Sequence, residues 1–217
     1  CTNKDIDYTT RALQRHIERL TTWFSKWRIT LNVDKTEAIV FTRRRPTNIT
    51  EILLNNRQLE YRQKTKYLGV ILDRQLTFKE HVKHIRAKAT QRLVQIYPIL
   101  TSNDLTIKHK INIYTALVRS IILYASPAWG HAAQSHMNKL QTVQNRATRI
   151  ITGADRYTRI TQLHDMLELE YIKDIITQTA KRLKKQYTTH TNTIINRIGT
   201  TTTNNTLQYR TPLNLTQ

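Results

Sequence analysis

A single cysteine in 217 residues excludes an internal disulfide and any zinc site built on several thiolates, which suits a reducing compartment. Glycine is almost as scarce, with four in the chain, and neither a phosphate-cradling loop nor a dinucleotide fingerprint is present. No apolar run approaches the roughly 18 to 20 residues of a membrane span, the longest being pieces such as SIILYA, so a soluble protein with no membrane partner is expected. The opening residues Cys1 to Asp5 have neither an initiator Met nor a signal-peptide pattern, and the chain reads as a piece of something longer. Acidic residues number 15 against 35 Lys and Arg, for a net charge of +20. That balance favours polyanionic partners, of which nucleic acid ranks first; an anionic membrane surface ranks second and is set aside.

Few acids also mean few metal-centred chemistries. Two-metal nucleases and polymerases cluster carboxylates around ions about 4 Å apart. The pairs Asp5 with Asp7, Asp34 with Glu37, and Glu168 with Glu170 read instead as caps and surface charges. His81 and His84 are three apart on one helical face, but nothing completes a ligand set, and lysines at 79, 83 and 88 intervene. Both are expected to be exposed and partly cationic. None of the five serines lies in a G-x-S-x-G frame.

What is present is periodicity and 39% hydrophobic residues, enough to bury a core in one compact domain with an appendage or in two small domains. Leu13, Ile17, Leu20, Phe24 and Trp27 recur at helical spacing, predicting an amphipathic helix over 8–28 with Asp7 as its cap and Arg11, Arg15, Arg19 and Lys26 on its other face. The period then becomes two, and residues 38 to 43 read as a strand. EILLNNRQLEY reads as two short strands about Asn55-Asn56, since asparagine tolerates the positive φ of a tight turn. KYLGVILD, 66 to 73, reads as a further strand containing Gly69, where another backbone comes close.

Beyond Asp73 the pattern is helical. One stripe runs from Phe78 to Ile96 before Pro98, and a second from Ile107 to Ala125 before Pro127. A third runs from Met137 to Ile150 and stops at Gly153, and a fourth covers about 159 to 187 with a break near LELEY. After Tyr187 come 11 Thr and 5 Asn in 30 residues with no acid, which predicts a flexible tail. The division is thus a helix-plus-strands unit over 1–74, a helical unit over 75–187 and the tail over 188–217, an α+β chain.

Placement of the cations is more informative than their number. Lys79, Lys83 and Arg86 lie one residue off the apolar stripe of the first long helix, and Arg92 is read as extending them. Residues 131 to 154 hold Lys139, Arg146 and Arg149 and no acid. A solvated face usually mixes signs, so these stripes read as phosphate-tracking. Trp23, Trp27, Tyr114, Tyr124 and Trp129 offer rings on which bases stack, but they fall mostly on apolar stripes and are expected in the core.

Four stretches in order, LNVDKTEAIVF, KYLGVILDRQLTFKEHVKHI, YTALVRSIILYASPAWG and LQTVQNRATRIITG, resemble the post-catalytic half of a reverse transcriptase from a non-LTR retrotransposon of the jockey-like group, over about residues 8 to 185. Trp23, Trp27, Leu31, Asn32, Lys35 and Thr36 match a W-x-x-x-W helix leading into L-N-x-x-K-T. Tyr67, Leu68, Gly69 and Asp73 match the primer-grip hairpin. The resemblance implies a small helix-plus-antiparallel-strand palm remnant followed by a mainly α-helical, thumb-like domain. It implies that Tyr67, Leu68, Gly69 and the cationic stripes hold an RNA template and a DNA primer. By the same comparison the Ala-Asp-Asp turn that holds Mg2+ in the complete polymerase lies outside this chain, which is expected to bind no cofactor and to be inactive alone. The rest of the retrotransposon polyprotein would lie upstream, and the parent would be intracellular, made in the cytoplasm and active in the nucleus. A non-enzymatic, basic helical nucleic-acid-binding module is the alternative.

Lys35 is the candidate catalytic residue. In related polymerases the matching lysine is proposed to donate a proton to the departing pyrophosphate, for which an arginine, with its very high pKa, is a poor substitute. The other reading is that Lys35 bonds the neighbouring strand and braces the motif, with Asn32 and Thr36 as caps.

Overall fold

The computed structural model describes residues 5–43 and 49–200, with side chains to residue 197. It is mostly helical with two small antiparallel strand pairs, an α+β chain as expected. It divides into two units, Cys1–Thr77 and Phe78–Gln217.

The first unit begins with α1 (Ile6–Lys26), whose cap is Asp5 and not Asp7. The Asp5 carboxylate accepts from the amides of Asp7 at 2.9 Å and Tyr8 at 3.4 Å, satisfying two of the donors a helix start leaves open. Asp7 instead accepts from the Thr50 hydroxyl at 3.0 Å. Two strands, β1 (Leu53–Leu54) and β2 (Arg57–Gln58), pair about Asn55 and Asn56, whose φ values of 52° and 59° are those of the expected tight turn. The Gln14 amide docks α1 on this hairpin by accepting from Leu53 N at 2.9 Å and donating to Leu53 O at 3.2 Å. Ala38, Ile52, Leu54 and Leu59 form the buried cluster, against which Leu13, Ile17, Leu31, Val33 and Tyr61 pack.

Two expected strands differ. Residues 38 to 43 form no ladder, since Ala38 alone bridges Tyr61. The segment KYLGVILD belongs to a hairpin, β3 (Lys64–Tyr67) and β4 (Val70–Asp73), in register from Lys64 with Asp73 to Tyr67 with Val70. Gly69 therefore sits in the turn and not within a strand. Leu68 at φ 46° and Gly69 at 81° supply the positive dihedrals a two-residue connection requires. Asp73 closes the unit by accepting from the amides of Gln75 at 3.1 Å and Thr77 at 3.0 Å.

The second unit is built on α2 (Lys79–Gln95), which buries Val82, Ile85, Ala89 and Leu93, and α3 (Tyr97–Thr101), which Pro98 starts in place of a free amide. The next stripe is broken into α4 (Ile107–Tyr114), a π turn (Thr115–Arg119), α5 (Ser120–Leu123) and α6 (Ser126–Trp129). The π turn inserts a residue, so that Tyr114, Val118 and Ile122 are buried instead of the Ile121 that uniform periodicity selects. Ile107, at the stripe's start, is exposed. α7 (Gln134–Thr152) stops at Gly153 with φ 65°, as expected. α8 (Ile160–Met166) and α9 (Ile172–Thr188) are separated at LELEY, also as expected. A helix, α10 (Thr193–Thr200), lies where the flexible tail was expected, and residues 201–217 of that tail are outside the described residues.

Candidate nucleic-acid interface

Lys35 ends a short 3-10 turn, Val33–Lys35. Asn32 Oδ1 accepts from Lys35 N at 3.1 Å, and the Thr36 hydroxyl donates to Asn32 O at 2.8 Å, so these two residues do cap the motif. The Lys35 side chain is exposed and makes no hydrogen bond or ion pair among the described residues. The expected alternative, a bond from Lys35 to the neighbouring strand, is not seen. Neighbouring charges are engaged differently: Arg57 Nη2 meets Asp34 Oδ1 at 2.6 Å, and Arg62 Nε meets Glu37 Oε1 at 3.4 Å. The loop thus holds its acids in pairs and presents one cation to solvent.

The second set is the β3–β4 tip. Tyr67 is 65% and Leu68 74% exposed, apolar groups that a strained turn holds outward.

In the second unit Lys79, Lys83 and Arg86 are exposed along one side of α2, with Lys79 and Lys83 rising about 6 Å apart on the axis. Arg92, also exposed, is not on that stripe: six residues beyond Arg86 it lies roughly 120° around the helix. On α7, Lys139 and Arg146 are exposed seven residues apart, hence on one face. Arg149 serves the fold. Its Nη2 donates to Thr158 O at 3.1 Å and Arg156 O at 3.4 Å, pinning the loop that follows α7.

The histidines and aromatics depart from expectation. His81 is fully buried, edge-on to Trp129 with ring centroids 5.5 Å apart. Loss of solvation, helped by the neighbouring His84, lowers its pKa to about 4, so it is neutral near pH 7. The helical face on which it was paired with His84 turns inward at position 81, because His81 falls beside Val82 and Ile85 in the buried arc. Tyr114 and Trp129 are in the core as expected, whereas Trp23, Trp27 and Tyr124 are 50%, 65% and 55% exposed.

Sequence reasoning missed a buried polar joint. Gln144 accepts from the Tyr114 hydroxyl at 3.0 Å and donates to Glu170 O at 2.8 Å. Gln141 accepts from Ile172 N at 2.9 Å, and His164 Nδ1 lies 2.8 Å from Leu169 O. Together they satisfy the open backbone of LELEY where α8 and α9 part. The available signal was Gln144 itself, a polar residue four positions after Leu140 on the buried side of α7.

Among the described residues no group of three or more His, Cys, Asp or Glu assembles as a metal site. Those residues therefore do not offer the clustered carboxylates that magnesium ions need.

With that geometry in hand, four relatives match the chain at 28 to 33% identity. The RNA-directed DNA polymerase from mobile element jockey of Drosophila funebris is 31% identical over 88% of this chain. The probable RNA-directed DNA polymerase from transposon X-element of Drosophila melanogaster is 31% identical over 83%, and that from transposon BS of the same species 33% over 87%. The chain spans 20 to 22% of the length of these relatives. No family model matches, and no solved structure matches. The resemblance to non-LTR retrotransposon polymerases is borne out by these similarities.

Proposed function

We propose that this chain is one segment of a non-LTR retrotransposon reverse transcriptase, the part following its catalytic carboxylates, and that it grips the RNA template and DNA primer. The observation that carries the reading is similarity over 83 to 91% of the chain to four polymerases of such elements. The exposed cations of α2 and α7 support the gripping role, because lysine and arginine neutralise phosphates and release counterions whatever the sequence bound. The β3–β4 tip, with Tyr67 and Leu68 turned outward, is then the element that meets the primer. Lys35, on a capped turn and with its side chain unpaired among the described residues, is in this reading the group that donates a proton to the departing pyrophosphate. The magnesium ligands belong to polypeptide outside this chain, so the chain alone does not polymerise.

Fluorescence anisotropy of the 217-residue chain with a labelled RNA–DNA primer-template tests the grip. Log affinity should fall linearly with log salt, and Lys79→Gln, Lys83→Gln and Arg86→Gln together should reduce the slope by about three times 0.7 to 0.9. Affinity indifferent to salt would overturn the reading. For Lys35 the assay is single-turnover nucleotide addition by the complete polymerase. Lys35→Ala should slow it by about 10² to 10⁴, and Lys35→Arg should not restore it. Recovery with arginine would show that charge suffices.

A further inference from the structure

Unit 1 is short of core. Among the described residues it buries five apolar side chains, Ala38, Ile52, Leu54, Leu59 and Val70, whereas unit 2 buries 22. A segment of under 80 residues with so little buried area has little to offset its ordering entropy. Yet the unit does not lack apolar groups; it exposes them. Leu20, Trp23, Trp27 and Ile29 are 38%, 50%, 65% and 48% exposed. The first three share one face of α1 at i, i+3 and i+7. The rings of Trp23 and Trp27 lie 5.9 Å apart. Arg28, at φ 55°, turns the chain so that Ile29 N bonds Phe24 O at 2.9 Å, which holds Ile29 against the end of the same helix. Single exposed apolar residues are ordinary, but two tryptophans, a leucine and an isoleucine gathered at one helix end mark a surface that is covered in the working protein.

Building on the functional reading above, we infer that the Leu20, Trp23, Trp27 and Ile29 face of α1 is the seat of an apolar surface from the same full-length polymerase, contributed by polypeptide beyond these 217 residues. Four fifths of the length of the relatives lies outside the match, so in them covalently joined chain is available to supply such a surface. The deficit in unit 1's own core is what such a surface makes good. Single-stranded nucleic acid is the rival, since Arg15, Arg19 and Lys26 are exposed on the same helix and aromatic rings stack on bases. Stacking uses Trp23 and Trp27 but gives no role to Leu20 and Ile29, and it does not supply unit 1 with a core.

The test is hydrogen exchange of α1 peptides, followed by mass spectrometry, in the 217-residue chain and in the product of the complete reading frame. Each is compared with its Trp23→Gln/Trp27→Gln variant and with Trp27→Gln alone. In the 217-residue chain α1 should exchange fast, with or without the substitutions. In the complete product its exchange should slow by at least about tenfold, and the double variant should lose most of that protection. Equal protection in the two wild-type proteins would overturn the inference, placing any cover within this chain. So would a reading frame that encodes nothing further. Protection of the 217-residue chain that appears on adding oligo(dT) or oligo(U), or that grows with protein concentration, would assign the face to nucleic acid or to a second copy instead. No template or primer enters the exchange measurement, so a failure of salt-dependent binding would count against the grip and leave this result standing.

Discussion

The two units are made of similar residues and differ in what they do with them. In unit 2 the apolar stripes of α2 and α7 meet other helices, Trp129, Tyr114 and Leu140 are fully buried, and the backbone left open at LELEY is satisfied by side chains of α7. In unit 1 a helix of comparable length buries one residue, Thr10, and leaves both tryptophans half exposed or more. Amphipathic pattern alone therefore fixes that a helix forms and which side is apolar, but not how much of that side finds a partner within the same stretch of chain: in α1, Leu13 and Ile17 pack on the unit 1 cluster while Leu20, Trp23 and Trp27 stay exposed.

The contrast is broken most forcefully through Trp129. Trp129→Ala should cost about 3 to 5 kcal/mol in urea denaturation followed by circular dichroism, because a fully buried ring is replaced by a cavity. Leu54→Ala, in the small cluster of unit 1, should leave the main helical transition where it was. A single transition shifted equally by both substitutions would mean that the units unfold as one.

Acid should act next, and on unit 2. The pKa of His81 is lowered by burial from its ordinary 6.5 to about 4. Its neutral form therefore contributes stability that is fully present above about pH 6.5 and is lost as pH falls toward 4, where the folded ring itself becomes charged. The loss from this one group reaches at most about 3 kcal/mol. Melting of His81→Phe, which keeps an aromatic ring beside Trp129, should depend less on pH between 6.5 and 4. An unchanged pH profile would refute the assignment.

A smaller effect is expected at the joint between α7 and LELEY. Gln144→Leu leaves the buried Tyr114 hydroxyl and Glu170 O without the amide that each meets, at about 1 to 3 kcal/mol. Combining it with Tyr114→Phe should recover part of that loss, since both ends of one bond are then removed together. Additive losses in the double-mutant cycle would argue that the two residues are not coupled.

How much of this was legible follows the range of the forces involved. Local signals succeeded: Asn55-Asn56 as a tight turn, Gly153 as a helix stop, the break at LELEY and the third helical stripe. Those that needed a partner distant in sequence did not. Residues 38 to 43 alternate as a strand does, but alternation cannot show that only Ala38 finds a bridge. KYLGVILD reads equally as one strand or as the outgoing half of a hairpin, and the positive φ at Leu68 chooses the second. His81 looked like a surface histidine because lysines surround it in sequence, while in space it faces Trp129. Among the candidate contacts, exposure of Lys79, Lys83, Arg86, Lys139 and Arg146 follows from helical period, but the use of Arg149 as a loop clamp depends on carbonyls seven and nine residues away.

The smallest expected effect sharpens the comparison from unit 1's side. Asn55 and Asn56 already accept the left-handed conformation, so Asn56→Gly removes a modest residual cost at φ 59°, partly offset by the greater freedom glycine gives the unfolded chain. The net gain should be about 0.5 kcal/mol or less. Amide exchange of the β1–β2 hairpin reads it directly, and the protection of Leu54 and Arg57 should rise slightly. If the weakness of unit 1 lies in its core, a better turn leaves α1 exchanging as before, because the area missing from the Trp23 and Trp27 face is not supplied by a turn some 30 residues away in sequence. Slower exchange along the whole of α1 in Asn56→Gly would show that closing the hairpin limits the unit, and the shortage of buried area would no longer explain why the two units differ.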